Sequence, residues 1–167
     1  MKIEEAIQTA IAYEIKIRDI YLEAEAAVSD EVGQRIFATL GQDEQHHIDY
    51  LQHKLEQLRT TGNLETEYLD SAVPSREVVK QEAAKVKSLI SRDFHGVRQQ
   101  MLSKALKLEI ETSDFYRKLV AELPVEGQQL FQRFLEIENN HIQAVQFELD
   151  YLGKTGYWFD FKEFDME

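Results

Sequence analysis

The chain has 167 residues, of which 43% are hydrophobic and 30% are charged, and this is enough for one domain with a buried core. Its formal net charge of −12 disfavours anionic partners, so we expect no nucleic-acid binding and no membrane-surface role. Cysteine is absent, which excludes disulfides, thiolate zinc sites and Fe–S clusters within these residues and leaves histidine and carboxylates as metal ligands.

The sequence shows neither a secretion signal nor an apolar run long enough to span a membrane. Residues 1–5 carry no signal-peptide core, and no apolar run approaches the roughly 18 residues of a membrane span, so we expect a cytoplasmic location.

With 2 Pro and 7 Gly in the chain, we expect an all-α fold. Apolar residues at steps of three and four predict an amphipathic helix from Ile3 to about Val28, and Glu14 lies on its apolar stripe.

A second helix is predicted after the turn-forming residues Ser29-Asp30, and it runs to about residue 58. Its apolar stripe includes Glu44 and His47, so both side chains are predicted to face inward with the leucines. The first two helices form a predicted hairpin over about residues 3–58.

The connection that follows, about residues 59–98, is too long for a tight turn. It includes a polar stretch at residues 60–63 and a predicted helical segment from Ser75 to about Ile90. A long crossover of this kind is typical of four-helix bundles in which two hairpins associate.

A third helix is predicted from about Gln99, and it ends at Leu123 because Pro124 restricts the residue before it. Glu109 lies on its apolar face. The fourth helix begins near residue 125, carries Glu138 and His141 on its apolar stripe, and completes a second hairpin over about residues 99–152. Its predicted C-terminal cap is the glycine at position 153.

The C-terminal segment, residues 153–167, places five aromatic residues within eight positions. Exposed apolar patches usually mark a contact. We expect these aromatics to pack on the chain's own bundle or on the second subunit of a homodimer, with a recognition element as the alternative. The five residues are Tyr157, Trp158, Phe159, Phe161 and Phe164.

The two hairpins are related by an internal repeat. Its copies lie at an offset of 95 in the first helix of each hairpin and 94 in the second. Such a repeat indicates one supersecondary unit used twice around a common axis. The candidate metal ligands that it relates are Glu14, Glu44, His47, Glu109, Glu138 and His141.

These residue types at these spacings predict a dinuclear metal site. Residues three apart on a helix project from nearly the same face, so each Glu-x-x-His pair can hold an ion from one side. Four carboxylates on apolar stripes would be costly to bury unpaired, whereas two divalent cations would neutralise them. One Glu-x-x-His alone is more often a surface coincidence or a partly buried pair. Two copies in register, each with an inward Glu, favour the metal site.

Tyr21 and Tyr116 also occupy equivalent places in the repeat, two turns beyond Glu14 and Glu109. They are either core tyrosines or candidate catalytic residues whose phenols hydrogen-bond to a ligating carboxylate and orient it. The remaining histidines lie off the apolar stripes or in the crossover and are predicted to be solvated. They are His46, His53 and His95.

With these ligands, the chain resembles the rubrerythrin-like branch of the ferritin-like di-iron superfamily over roughly residues 3–152, apart from the crossover. The resemblance implies a ferritin-like four-helix bundle, a di-iron centre with two Fe ions per chain, and redox chemistry with peroxide or dioxygen. It also implies that the six residues are the ligands. The bridging carboxylates are either Glu44 and Glu138 or Glu14 and Glu109.

Two features depart from rubrerythrins. These carry a cysteine-rich rubredoxin domain that feeds electrons to the di-iron site, whereas this sequence has no Cys, so we expect an external electron donor and no Fe–S cluster. They also usually have another Glu one turn after the ligand on the third helix, where this sequence has Thr112. The six-ligand set is equally similar to bacterioferritin. The interfacial haem of bacterioferritin needs a methionine on the second helix. The methionines of this chain are Met1, Met101 and Met166, and none lies on that helix, so we expect no haem.

The leading hypothesis is a di-iron oxidoreductase that reduces hydrogen peroxide or dioxygen with electrons from an external donor. The alternatives are an iron-storage protein with ferroxidase activity, a dimanganese catalase-like protein, and a helical interaction module with a structural metal. Carboxylate and imidazole ligands suit either iron or manganese, so the native metal stays open.

Overall fold

The computed structural model describes residues 1–65, 67–75, 77–78 and 96–159. Within these residues it contains four helices: α1 (Ile3–Ala27), α2 (Glu31–Thr61), α3 (Val97–Glu122) and α4 (Val125–Thr155). Helix α1 pairs with α2, α3 pairs with α4, and α1 also packs against α3. The predicted all-α bundle of two helical hairpins is therefore confirmed. In the described part of the chain, no helix is long and apolar enough to cross a membrane.

Local chemistry defines the ends of the longer helices. The Asp30 side chain caps α2 by accepting hydrogen bonds from two backbone N–H groups of its first turn. Gly62 caps the C-terminus of α2 and Gly156 caps that of α4, each with a φ of 75° that favours glycine. The predicted end of the fourth helix at Gly153 is wrong, because Gly153 stays helical and α4 continues to Thr155.

Among the described residues, the core forms two apolar clusters along the length of the bundle. On α1, Ile7 belongs to one cluster and Ile17 to the other, and Glu14 lies between them in the chain. On α2, Leu40 and Leu51 belong to different clusters, and the Glu-x-x-His motif of this helix lies between them in the chain. The candidate ligands therefore lie in the middle of the bundle, with apolar layers on both sides.

Part of the crossover lies across α2 and α4, and we call residues 67–73 the strap. The Tyr50 hydroxyl donates to the Glu67 carbonyl at 2.7 Å, and Arg133 Nε donates to the Leu69 carbonyl at 2.9 Å. Leu69 and Val73 are buried. These contacts fix the strap against the bundle. The helical segment predicted from residue 75 to about residue 90 lies almost entirely outside the described residues.

The beginning of the aromatic tail packs on the chain's own bundle. Trp158 and Phe159 are buried, and the Trp158 ring meets Phe37 edge-on at a centroid distance of 5.6 Å. For these two aromatics the structure favours packing over a recognition role. Phe161 and Phe164 lie outside the described residues.

Gly33 makes room for Trp158, which leads to a stability prediction. A Cβ on Gly33 would lie 2.8 Å from the indole ring, so we expect Gly33→Ala to displace Trp158 and to cost about 1–3 kcal/mol of stability. Urea unfolding measures this cost, and because the chain has 1 Trp, fluorescence reports the displaced ring directly as a red shift.

Gly153→Ala is the matched control, since a Cβ at this exposed position of α4 meets nothing within 4 Å. It should stabilise the helix by about 0.5–1 kcal/mol and leave the emission unchanged. Wild-type stability and emission in Gly33→Ala would contradict the packing described.

Candidate metal centre

The bundle brings the six predicted ligands together. Each of α1 and α3 contributes one Glu, and each of α2 and α4 contributes a Glu and a His one turn apart. All six side chains have 0% exposure, which is unusual for carboxylates. They are Glu14, Glu44, His47, Glu109, Glu138 and His141.

Their atoms form two overlapping groups with the spacing of metal ligands. In each group, one atom from each of four residues lies within 4.8 Å of the others. Glu44 and Glu138 belong to both groups. One group is completed by the α1 carboxylate and His47, and the other by the α3 carboxylate and His141. This geometry favours Glu44 and Glu138 as the shared carboxylates and disfavours the alternative pair from α1 and α3.

The two imidazoles present the same ring nitrogen to the carboxylates. Nδ1 of His47 lies 3.1 Å from an oxygen of Glu14 and 3.1 Å from one of Glu44. Nδ1 of His141 lies 2.7 Å from Glu44 and 3.4 Å from Glu109. The rings are nearly parallel, with centroids 5.5 Å apart. In both rings Nδ1 is therefore the nitrogen that faces the glutamates.

Several polar atoms of this cluster are buried and have no hydrogen-bond partner. They include both carboxylate oxygens of Glu138, Oε2 of Glu109 and Oε1 of Glu44. Nδ1 of His141 approaches Oε1 of Glu44 without the alignment of a hydrogen bond. Buried polar atoms are nearly always partnered, and an ion is one explanation when they are not. The donor set therefore fits a pair of divalent cations.

The carboxylates differ in their pKa values. Burial raises the pKa of Glu44 to about 8 despite the nearby imidazoles. Burial, reinforced by the neighbouring carboxylates, raises the pKa of Glu138 well above its ordinary value. Burial acts in the same direction on Glu14 and Glu109, but the imidazoles and the hydrogen bonds to these two carboxylates together outweigh it and lower both pKa values. The two shared carboxylates are thus the hardest to ionise without a cation.

The pKa values of both imidazoles are raised. Burial disfavours the charged form of His47, but Glu14 and Glu44 outweigh it and raise its pKa to about 10. Glu44 and Glu109 likewise raise the pKa of His141 against the effect of burial. The four buried carboxylates therefore need protons or metal ions to balance their charge.

The two tyrosines join the halves of the centre crosswise. The Tyr21 hydroxyl donates to Glu109, and the Tyr116 hydroxyl donates to Glu14. Burial, followed by the nearby carboxylates, raises the pKa of each phenol well above its ordinary value, so both stay protonated. Both also pack in the apolar clusters. Each tyrosine is therefore both a core residue and a hydrogen-bond donor to a carboxylate, so the two interpretations of the sequence do not exclude each other.

The sequence interpretation missed Asp43, which lies on the outer side of the imidazoles. Its Oδ2 is 2.7 Å from Nε2 of His141 and 3.5 Å from Nε2 of His47. Burial opposes the ionised form of Asp43, but the imidazoles outweigh it and lower its pKa. The repeat could not identify this residue because the equivalent position holds Ile137. An acidic residue beside Glu44 and four residues before a histidine was the available signal.

The remaining candidates lie outside the cluster. Thr112 is buried, and its hydroxyl donates to the Leu108 carbonyl at 2.8 Å, so it remains committed to its own helix. His46 is exposed, and the His53 side chain is 57% exposed. His95 lies outside the described residues.

A comparison with protein families gives one match. A family model described as Rubrerythrin matches residues 5–149, a range that includes both hairpins and all six candidate ligands. No curated protein and no solved structure matches the chain.

Proposed function

The chain belongs to the rubrerythrin family, and from this membership we propose that it is a non-haem di-iron oxidoreductase that reduces hydrogen peroxide or dioxygen with electrons from an external donor. The observation that carries the proposal is the pair of four-residue groups sharing Glu44 and Glu138. Mixed carboxylate and imidazole ligation suits iron or manganese and leaves positions free for oxygen species.

Each residue of the centre has a defined part in this proposal. Glu14 with His47 would hold one ion, Glu109 with His141 would hold the other, and the shared carboxylates would lie between them. Iron bound there would supply the two electrons that, with two protons, convert one hydrogen peroxide into two water molecules. Because the 167 residues contain 0 Cys, no thiolate-bound iron within them can return those electrons, so we propose an external donor.

The tyrosines and the apolar layers support this chemistry by orienting the ligands and excluding water. Each phenol holds a carboxylate of the opposite hairpin by a hydrogen bond, which fixes the carboxylate's orientation. Packing on both sides keeps the six ligands at 0% exposure, so bulk water is excluded from the centre. We therefore assign Tyr21 and Tyr116 a positioning role.

Stopped-flow mixing tests the oxidoreductase proposal. Protein loaded anaerobically with two Fe(II) per chain is mixed with hydrogen peroxide or, separately, with dioxygen, and the ferric absorbance is followed. We expect oxidation to be much faster than that of the same Fe(II) in buffer, with one peroxide consumed for every two irons. An iron oxidation rate equal to that in buffer would reject the redox assignment.

Two further measurements separate this proposal from its alternatives. Size-exclusion chromatography after iron loading should give a homodimer with about two irons per chain, whereas a large assembly holding many irons per chain would indicate storage. Metal analysis of protein purified without added metal distinguishes iron from manganese, and two Mn per chain would favour a catalase-like centre.

A further inference from the structure

Asp43 is a buried carboxylate of α2 that the proposed ligand set does not use. It is 3% exposed, and it faces the Nε2 side of both imidazoles, opposite the side where the four glutamates converge. Nε2 of His141 is within hydrogen-bond distance of Asp43, whereas Nε2 of His47 is 3.5 Å away and has no hydrogen-bond partner. The two imidazoles are thus held unequally.

The strap fixes Asp43 from the other side. The Ser71 hydroxyl donates to Oδ2 of Asp43 at 2.6 Å, and the backbone N–H of Ala72 donates to Oδ1 at 2.9 Å. The strap is in turn tied to α2 and α4 by Tyr50 and Arg133. A carboxylate held at both oxygens has little freedom to turn away from the imidazoles.

This placement favours one of the two ring nitrogens of His141 as the metal-binding atom. A neutral imidazole carries one ring hydrogen, and it binds a metal only through the other nitrogen. If the hydrogen is on Nε2, His141 donates it to Asp43 and presents Nδ1 to the glutamates. Partners of this kind fix both the tautomer and the orientation of a ligating ring.

We propose that Asp43 is a positioning residue of the metal centre, which fixes the ring of His141 so that Nδ1 faces the metal, and that Ser71 and Ala72 of the strap hold Asp43 in that position. The proposal rests on the two-metal function proposed above. Because the contact between Asp43 and His47 is longer, Asp43 holds the ring of His141 more firmly than the ring of His47.

Metal affinity is the first test. Zn(II) is added to the metal-free protein in competition with a chromophoric chelator, which gives the stoichiometry and both dissociation constants. We expect Asp43→Ala to weaken Zn(II) binding by about 10–100-fold and Ser71→Ala to weaken it by less, since the carboxylate remains. The control, Asp49→Ala, also removes a carboxylate from α2, but at an exposed position away from the centre, and it should bind Zn(II) like the wild type.

A spectroscopic signature separates positioning from a merely structural role. NMR of Zn(II)-loaded protein with ¹⁵N-labelled histidine shows which ring nitrogen carries the hydrogen. In the wild type we expect Nε2–H on both ligating rings, with that of His141 exchanging more slowly with water. Asp43→Ala should speed this exchange for His141 and should change His47 less.

The outcomes distinguish this inference from the proposed function. If the wild type binds no Zn(II), both are overturned. If the wild type binds two Zn(II) and Asp43→Ala keeps the wild-type affinities and His141 signals, only the positioning role is overturned. Far-UV circular dichroism of each metal-free variant checks its helicity. If Asp43→Ala does not fold, Ser71→Ala decides alone, and unchanged affinity and exchange in that variant would overturn the proposal.

Discussion

Replacement of Glu138 by Gln is expected to lower metal binding from two ions per chain to at most one, without loss of helicity. Glu138 belongs to both four-residue groups, so its replacement affects both metal positions, and neither of its carboxylate oxygens has a hydrogen-bond partner to lose. We expect a loss of affinity at one position greater than the about 100-fold that follows loss of a hydrogen-bond partner to a ligand.

Iron and Zn(II) stoichiometry measured after equilibrium dialysis checks this expectation. Glu136→Gln is the matched control, because Glu136 lies two residues away on α4, is 61% exposed, and pairs with the Arg133 side chain at 3.2 Å. The control should still bind two ions. Two ions bound at wild-type affinity in Glu138→Gln would show that Glu138 is not a shared ligand.

Metal loading is expected to raise the thermal midpoint of the wild type by roughly 10–20 °C. An ion that binds only the folded state stabilises it by about 2.7 kcal/mol when its free concentration is 100 times its Kd, and the centre offers two positions. For a chain of this size, each kcal/mol shifts the midpoint by about 2–4 °C. The physical cause is the replacement of bound protons by cations among four buried carboxylates.

Thermal unfolding followed by circular dichroism, with and without added Fe(II) or Zn(II), measures this shift. The metal-free protein should remain helical, because the two apolar clusters do not depend on an ion. Glu138→Gln should show a clearly smaller shift. An unfolded metal-free chain would instead indicate a structural metal, and an unchanged midpoint in the wild type would argue against metal binding.

Much of this centre could be predicted from the sequence because two independent periodicities agree. Glu14 and Glu109 lie on apolar helical stripes, where an unpaired carboxylate is costly. The Glu-x-x-His spacing then supplies further ligands at one turn, and the repeat shows that both halves follow the same rule. A pattern that is local in the chain thus predicted that side chains from helices far apart in the sequence meet in the structure.

The missed features depend on contacts and backbone angles that the helical periodicity and the repeat do not encode. Asp43 receives Ser71 and Ala72 from an irregular segment, and irregular segments have no periodicity to interpret. The end of α4 was also ambiguous, because both Gly153 and Gly156 are plausible caps, and only the positive φ of Gly156 decides between them. The choice of shared carboxylates likewise required the distances between four helices.

The crossed phenol contacts also have a consequence for the order of folding. They join residues 88 and 102 positions apart in the chain, whereas each Glu-x-x-His motif lies within one turn of a single helix. Contacts between residues far apart in the chain form more slowly than local helical contacts, because a long loop must first be closed. In refolding from denaturant, uptake of two metal ions should therefore lag behind the recovery of helicity, and this delay would measure the time the two hairpins take to dock.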